Sequence, residues 1–511
     1  MHIWKRLAAL LLFSAVAWQA RAESLEARGQ YIARAADCNS CHTAPGGKTF
    51  AGGDELKTPF GSIYGPNITQ DRRTGIGTWS KADFVRALRL GVRKDGGYLY
   101  PAMPYIEYTM MSDADLDALW AYMRSIAPVS HSVPAPEKTF RFPFNFRPGI
   151  RAWQAIYFRP SRWQPTPGKD PEWNRGAYLI QALAHCGECH TPKNVGMAPE
   201  AKYRLTGAAL QGWFAPDISA DPNSAIKKYD VPQLVQFLKT GVMAGNDHAF
   251  GPMAETVHDS LRYLNTSDLQ AMAVYLKDQK PVSEPAVARA VASPEELAIG
   301  KQIYENNCSS CHHDNGQGMA NTVPALAGNT AVTAAEPDSV IMAILQGFPP
   351  QGTWGAMGSF ARRLSDEQIA DVTNYVRTAW NNHGVPNAQQ WEVGNARQIA
   401  DIPKAARQPA LICPLLPANV ANAALKDSPD TLRAAGSDHA TLVRVVRAYT
   451  SAKPDSSPAE VIEALTEAYC RAVVSDKVPL SSSGGAVANF SQQVAIVLTE
   501  ADSAATPGPG Q

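Results

Sequence analysis

Apolar positions recur at helical spacing in segments that resemble one another along the chain. "RGQYIARAADCNSCH", from Arg28, sets Tyr31, Ile32 and Ala35 on one face of a helix. "RGAYLIQALAHCGECH", from Arg175, does the same with Tyr178, Leu179 and Leu183, and aligns with the first once a single residue is inserted. "IGKQIYENNCSSCH", from Ile299, follows more loosely. Each predicts a helix that runs into a pair of cysteines.

The likeness continues downstream, which makes it an internal repeat. "KADFVRALRLGV" from Lys81, "VPQLVQFLKTGV" from Val231 and "PDSVIMAILQGF" from Pro337 share a helical period and stop at Gly91, Gly241 and Gly347, where a C-terminal cap is expected. "MSDADLDALWAYMRS", "LNTSDLQAMAVYLKD" and "LSDEQIADVTNYVRT" then each place a serine or threonine before an acidic residue and an apolar face, a signal that starts a helix. The repeat therefore reads as an opening helix, a middle helix and a closing helix joined by loops. Gly29 with Tyr122, Gly176 with Tyr275 and Gly300 with Tyr375 are expected where opening and closing helices cross. The fold class is all-α, with repeats at 24–133, 172–280 and 294–386.

Between the first two repeats, 134–171 is rich in proline, arginine and aromatics and is expected to pack rather than to swing as a Gly/Ser tether would. The linker at 281–293 is shorter. Beyond the third repeat, 405–511 is an Ala-rich, helical region with a loop at "SSSGG" and a tail ending "ATPGPGQ". At the other end, Lys5 and Arg6, an apolar run from Leu7 and then Ala20-Arg21-Ala22 have the form of an export signal over 1–22. Among the 511 residues, Lys+Arg and Asp+Glu both total 47, which argues against a nucleic-acid partner.

Six of the eight cysteines lie in the three repeats, each pair spaced CxxC and followed at once by histidine. CxxCH is the attachment pattern for c-type haem: the spacing brings both sulfurs to one macrocycle, and the histidine reaches the iron. The sites are Cys38, Cys41 and His42; Cys186, Cys189 and His190; and Cys308, Cys311 and His312. A structural zinc site needs four ligands, and no second pair accompanies each motif. A redox CxxC of the thioredoxin type needs a βα context that these helical repeats lack. The second axial ligand must come from later in each repeat. "LYPAMPY", "AFGPMAET" and "TWGAMGSF" place Met103, Met253 and Met357 between middle and closing helices, with Met110, Met111, Met243 and Met342 as rivals. His/Met ligation fills both axial positions, which suits electron carriage rather than substrate chemistry. The remaining pair, Cys413 and Cys470, could bridge in an oxidising compartment if their geometry permits it, which the sequence does not decide.

With the three motifs, "YPAMPY", "RGAYLIQALAHCGECHTPKN" and "GPMAE" in view, residues 25–385 resemble the tri-haem cytochrome c subunits of bacterial membrane-associated dehydrogenases. The resemblance implies three tandem class I cytochrome c domains carrying three covalently bound haem c groups. It also implies a catalytic dehydrogenase partner of flavin, quinoprotein or molybdenum type, and delivery of electrons to quinone or the respiratory chain at the periplasmic face of the inner membrane. Where several such subunits carry a hydrophobic C-terminal segment, this chain has 405–511 instead, expected to be a helical docking region. A free-standing periplasmic shuttle and a multihaem peroxidase are the competing readings.

Overall fold

In a computed structural model, the described residues are 24–58, 60–222, 224–243, 247–279, 282, 289–320, 322–349, 354–402, 429–456, 458–473, 486–487 and 489–498. The segment read as an export signal and Cys413, and with it any pairing of Cys413 with Cys470, lie outside them. The chain groups into two compact units, one containing Met1–Cys186 and Pro252–Tyr275, the other Gly187–Gly251 and Leu276–Gln511. Residues 172–280 contribute to both.

In the first unit, Ser24 accepts from the Ala27 amide at 3.0 Å and starts the opening helix Leu25–Ala35. The middle helix Lys81–Leu90 begins at a Ser80/Asp83 capping box and ends on Gly91, whose amide donates to the Ala87 carbonyl and whose φ of 60° turns the chain out of the helix. Ser112 caps the closing helix Asp113–Ser125. Opening and closing helices cross at Gly29, where a Cβ would overlap the Ala118 carbonyl and crowd Tyr122. The second repeat contributes its opening helix Pro171–Tyr178, which continues as a π-helix, Leu179–Leu183. Its closing helix, Thr266–Lys277, departs from the expected Ser/Thr start: Asn265 accepts the Asp268 amide at 2.7 Å, a role asparagine fills as well as serine. Gly176 meets the Ala271 carbonyl and Met272, one turn before the expected Tyr275.

These two helix pairs exchange tyrosines. Tyr31 donates to Asp268 and Tyr178 donates to Asp115, each at 2.6 Å, while Arg175 and Arg28 pair with the same two carboxylates at 2.7 Å. Burial would raise the pKa of Asp268, but the bonds from Arg175 and Tyr31 outweigh it and hold the carboxyl below its ordinary value. A depressed folded pKa contributes stability above the unfolded value of about 4, and that contribution is lost as pH falls through the folded one. Tyr31→Phe is accordingly expected to cost about 1–2 kcal/mol at neutral pH and to flatten the acid limb. Thermal melts between neutral and acid pH check both, and an acid limb as steep as wild type would refute the assignment.

In the second unit, the middle helix Val231–Thr240 ends on Gly241 at φ 75°. The third repeat follows the same plan. Its opening helix Pro294–Asn307 starts at a Ser293/Glu296 box, its middle helix Asp338–Gln346 ends at Gly347, and its closing helix Asp366–Thr378 starts at a Ser365/Gln368 box. Gly300 meets the Asp371 carbonyl and Tyr375 as expected. Helices Pro429–Ala435, His439–Ala452 and Pro458–Val473 enclose a separate core around Tyr449, Leu465, Cys470 and Phe490.

Among the described residues helices dominate, and three antiparallel hairpins amend the all-α expectation: Glu55–Thr58 with Gly61–Tyr64, Ala208–Leu210 with Trp213–Ala215, and Val242–Met243 with Asp247–His248. They form where loops double back between helices. Gly212, at φ 83°, turns the second of them. Among the described residues, no helix is long and apolar enough to cross a membrane.

Candidate haem attachment sites

The three motifs fold into one kind of turn: Cys38–His42, Gly187–His190 and Ser309–His312 are short helices. Each ends on a histidine ring held by a proline carbonyl, His42 buried and His190 and His312 half-buried. His42 Nδ1 lies 2.7 Å from the Pro66 oxygen, His190 Nδ1 2.7 Å from that of Pro216, and His312 Nδ1 3.0 Å from that of Pro324. A carbonyl can only accept, so Nδ1 carries the proton and Nε2 keeps its lone pair for a metal. Each histidine's own carbonyl accepts from a glycine amide, of Gly52, Gly207 and Gly318, at 2.8, 2.9 and 3.1 Å. All three glycines have positive φ.

Burial lowers the pKa of all three imidazoles, that of His312 to about 4, so each is neutral at pH 7, the form a metal needs. Burial likewise pushes the Cys38 and Cys308 thiols up to about 12, which keeps them protonated. The proline carbonyls were not anticipated from sequence, yet "GPNIT" at Gly65 and "APDIS" at Ala215 repeat one another. In both, the Asx side chain accepts from the amide two residues on, Thr69 at 2.9 Å and Ser219 at 2.7 Å.

The third site is the most complete. Cys308, Cys311, His312 and Met357 line one cavity, walled by apolar side chains that include Leu326, Val340, Ile344 and Phe348. Met357 is fixed by a two-way backbone pair with Phe348, at 2.8 and 2.9 Å, immediately after the Gly347 cap. In the other repeats the residue after the glycine cap pairs likewise, Val92 with Tyr98 and Val242 with His248. Met103 and Met253 follow those partners at equal offset, and both are half-buried. Rivals Met111, Met243 and Met342 are buried in cores, and the Met342 methyl packs at Gly212.

Two cations near these turns were missed by sequence reasoning. Arg363 lines the third cavity with its Nε buried and without a hydrogen-bond partner among the described residues. Arg204, beside Gly187 of the second motif, has Nε and Nη2 in the same condition. Orphaned guanidinium nitrogens beside CxxCH turns fit the two carboxylates of a haem, and with thiols, imidazole and thioether on one cavity the residues present match that group.

Other histidines near the motifs divide. His258 is exposed, His185 meets the Tyr108 ring edge-on at 5.7 Å, and His248 enters the third cavity, stacked on Trp354 at 4.6 Å. The C-terminal helices also reach that cavity, through Ile462 and Thr466. Their core packs against Cys311 and Met319, and the Ser491 hydroxyl donates to the Ser310 carbonyl at 3.2 Å. The face they turn to the third site is thus occupied within the chain.

Residues 26–127 and 297–380 match the family model for cytochrome c. The chain is 37% identical over 399 residues to the cytochrome c subunit of an alcohol dehydrogenase (quinone) of Gluconacetobacter polyoxogenes, covering 73% of this chain and 84% of that one. It is 36% identical over 415 residues to the gluconate 2-dehydrogenase cytochrome c subunit of Pantoea cypripedii, covering 76% and 93%. A nicotinate dehydrogenase subunit of Pseudomonas putida is 39% identical over 359 residues, 68% of this chain but only 30% of that longer protein.

Proposed function

Since the chain belongs to the family of cytochrome c subunits of bacterial alcohol and gluconate dehydrogenases, we propose that it is a tri-haem electron carrier. It accepts electrons from a catalytic dehydrogenase subunit in the periplasm and passes them to quinone or the respiratory chain. The observation that carries this reading is the third cavity, where Cys308, Cys311, His312 and Met357 converge. The haems are held through Cys38, Cys41, His42 and Met103; Cys186, Cys189, His190 and Met253; and Cys308, Cys311, His312 and Met357.

When bound, haem c supplies a one-electron iron couple. The protein's part is to hold that couple still and dry. Proline carbonyls fix each imidazole with Nε2 free, so a ligand need not reorient when charge changes. Met103, Met253 and Met357 would hold the iron together with the histidines, and thioether ligation would favour the reduced state and leave no place for substrate. Arg363 and Arg204 supply buried positive charge beside the third and second turns. The residues thus tune transfer and contribute no bond-making chemistry, so substrate oxidation falls to the catalytic subunit.

Purification of the haem-loaded chain with its partners tests this reading. Three haems per chain, reduced when the substrate of a co-purifying dehydrogenase is added, are expected; recovery of the chain alone from the soluble fraction would favour the free shuttle. Met357→Ala is expected to open one iron to carbon monoxide and to lower its potential by on the order of 0.1 V or more. Wild-type protein should show no carbon monoxide difference spectrum, and a strong one would restore the peroxidase reading.

A further inference from the structure

Residues between the first two repeats form a strongly basic stretch in a chain whose charges sum to zero. From Lys138 to Lys169 there are five arginines, two lysines and no acidic residue. Expected to pack, the segment does so on one side only. The helix Pro148–Tyr157 turns Gln154 inward to donate to the Leu90 carbonyl at 3.3 Å, and Phe158 packs edge-on against Tyr105 at 5.1 Å. Its other side and the stretch before it face solvent: Phe142 is 83% exposed, Phe146 60% and Ile156 64%, with Arg141, Arg151, Arg159 and Arg162 exposed among them.

We propose that this segment is a lipid-binding surface, in which the arginines meet the phosphates of an anionic bilayer while Phe142, Phe146 and Ile156 enter the headgroup–acyl boundary. This deepens, and rests on, the reading of the chain as a carrier that works at the membrane face. Charge decides the partner: Arg162 lies 3.7 Å from Asp113, but Arg141, Arg151 and Arg159 stand in a stretch with no acid of its own, and such a cluster is drawn to a negative surface. Bulky apolar groups between the cations then find a place at the interface, the arrangement of helices that lie on membranes rather than cross them. Arg147 belongs to the scaffold instead, pairing with Glu137 and lying over the Tyr100 ring at 5.1 Å.

The test is sedimentation of the haem-loaded full chain with vesicles of phosphatidylglycerol and phosphatidylcholine, or of phosphatidylcholine alone. Wild type should sediment with the anionic vesicles and be released in part by salt. R141E/R151E is expected to bind at least about tenfold more weakly, since each basic residue near such a surface matters by roughly a factor of five. F142S/F146S should weaken binding and abolish what remains at high salt. Haem spectra and melting curves of both variants, unchanged from wild type, show that the fold is intact.

Equal binding by wild type and both variants, or equal binding to the two vesicle types, would overturn the proposal. So would variants that still sediment but no longer co-purify with a dehydrogenase subunit, which would make the patch a protein interface. A variant that fails to sediment yet still takes electrons from its dehydrogenase supports the lipid surface and leaves the carrier function standing. Wild type that sediments but is reduced by no dehydrogenase overturns the carrier function alone.

Discussion

Replacing Cys186 and Cys189 together by alanine should leave a protein with two haems in place of three. Attachment through two thioethers is covalent, so loss of both sulfurs removes the anchor and leaves only the noncovalent hold of His190 and the proposed ligand Met253. The chain's mass should fall by one haem and its haem absorbance by about a third. The effect on electron flow should exceed that proportion if the carriers act in series, because one missing carrier interrupts a chain. Three haems retained in the double variant would show that the second motif is not an attachment site, and absorbance halved would show that only two motifs are loaded. Mass spectrometry of the purified chain separates these outcomes directly.

The largest effect on stability should come from Gly29→Val. A Cβ at Gly29 would overlap the Ala118 carbonyl, a backbone atom with no rotamer to escape into, and crowd Tyr122. The helices must separate, and the variant is expected to lose more than about 3 kcal/mol. Even Gly29→Ala should destabilise. Gly394 is the control, since it lies in the helix Gln390–Ile399 with a Cβ position 3.6 Å from the nearest atom, the Asp366 Oδ2. There the same change to alanine should stabilise, by up to about 1 kcal/mol, through the backbone freedom removed from the unfolded chain. Chemical denaturation of the two alanine variants should therefore give shifts of opposite sign.

Much of the scaffold is readable from sequence because it depends on local signals. Gly91 and Gly241 end helices in left-handed conformation and Ser112 and Ser365 begin them, since a cap needs only a few residues to specify it. CxxCH is legible for the same reason. What escapes is chemistry assembled across the chain. Nothing near Arg363 announces that its side chain will be buried beside Cys308, and nothing near His248 that it will stack on Trp354. The proline carbonyls lie between these cases: 24, 26 and 12 residues separate His42, His190 and His312 from their partners, so the recurrence shows only when the loops are aligned as carefully as the helices. The C-terminal region reads from sequence as a docking element for a partner, but part of its surface is spent on the third site, a use its Ala-rich composition does not declare.

The π-helix Leu179–Leu183 is where the second repeat's extra residue resides. In an α-helix an added residue rotates everything beyond it by about 100°, which would swing the cysteine pair off the side set by the crossing glycine. Widening a single turn takes up the residue locally and restores the phase of the motif beyond it. The gap in the alignment and the wide turn in the backbone are thus one event seen twice. A CxxCH turn can therefore follow an opening helix of changed length without losing its place relative to the crossing.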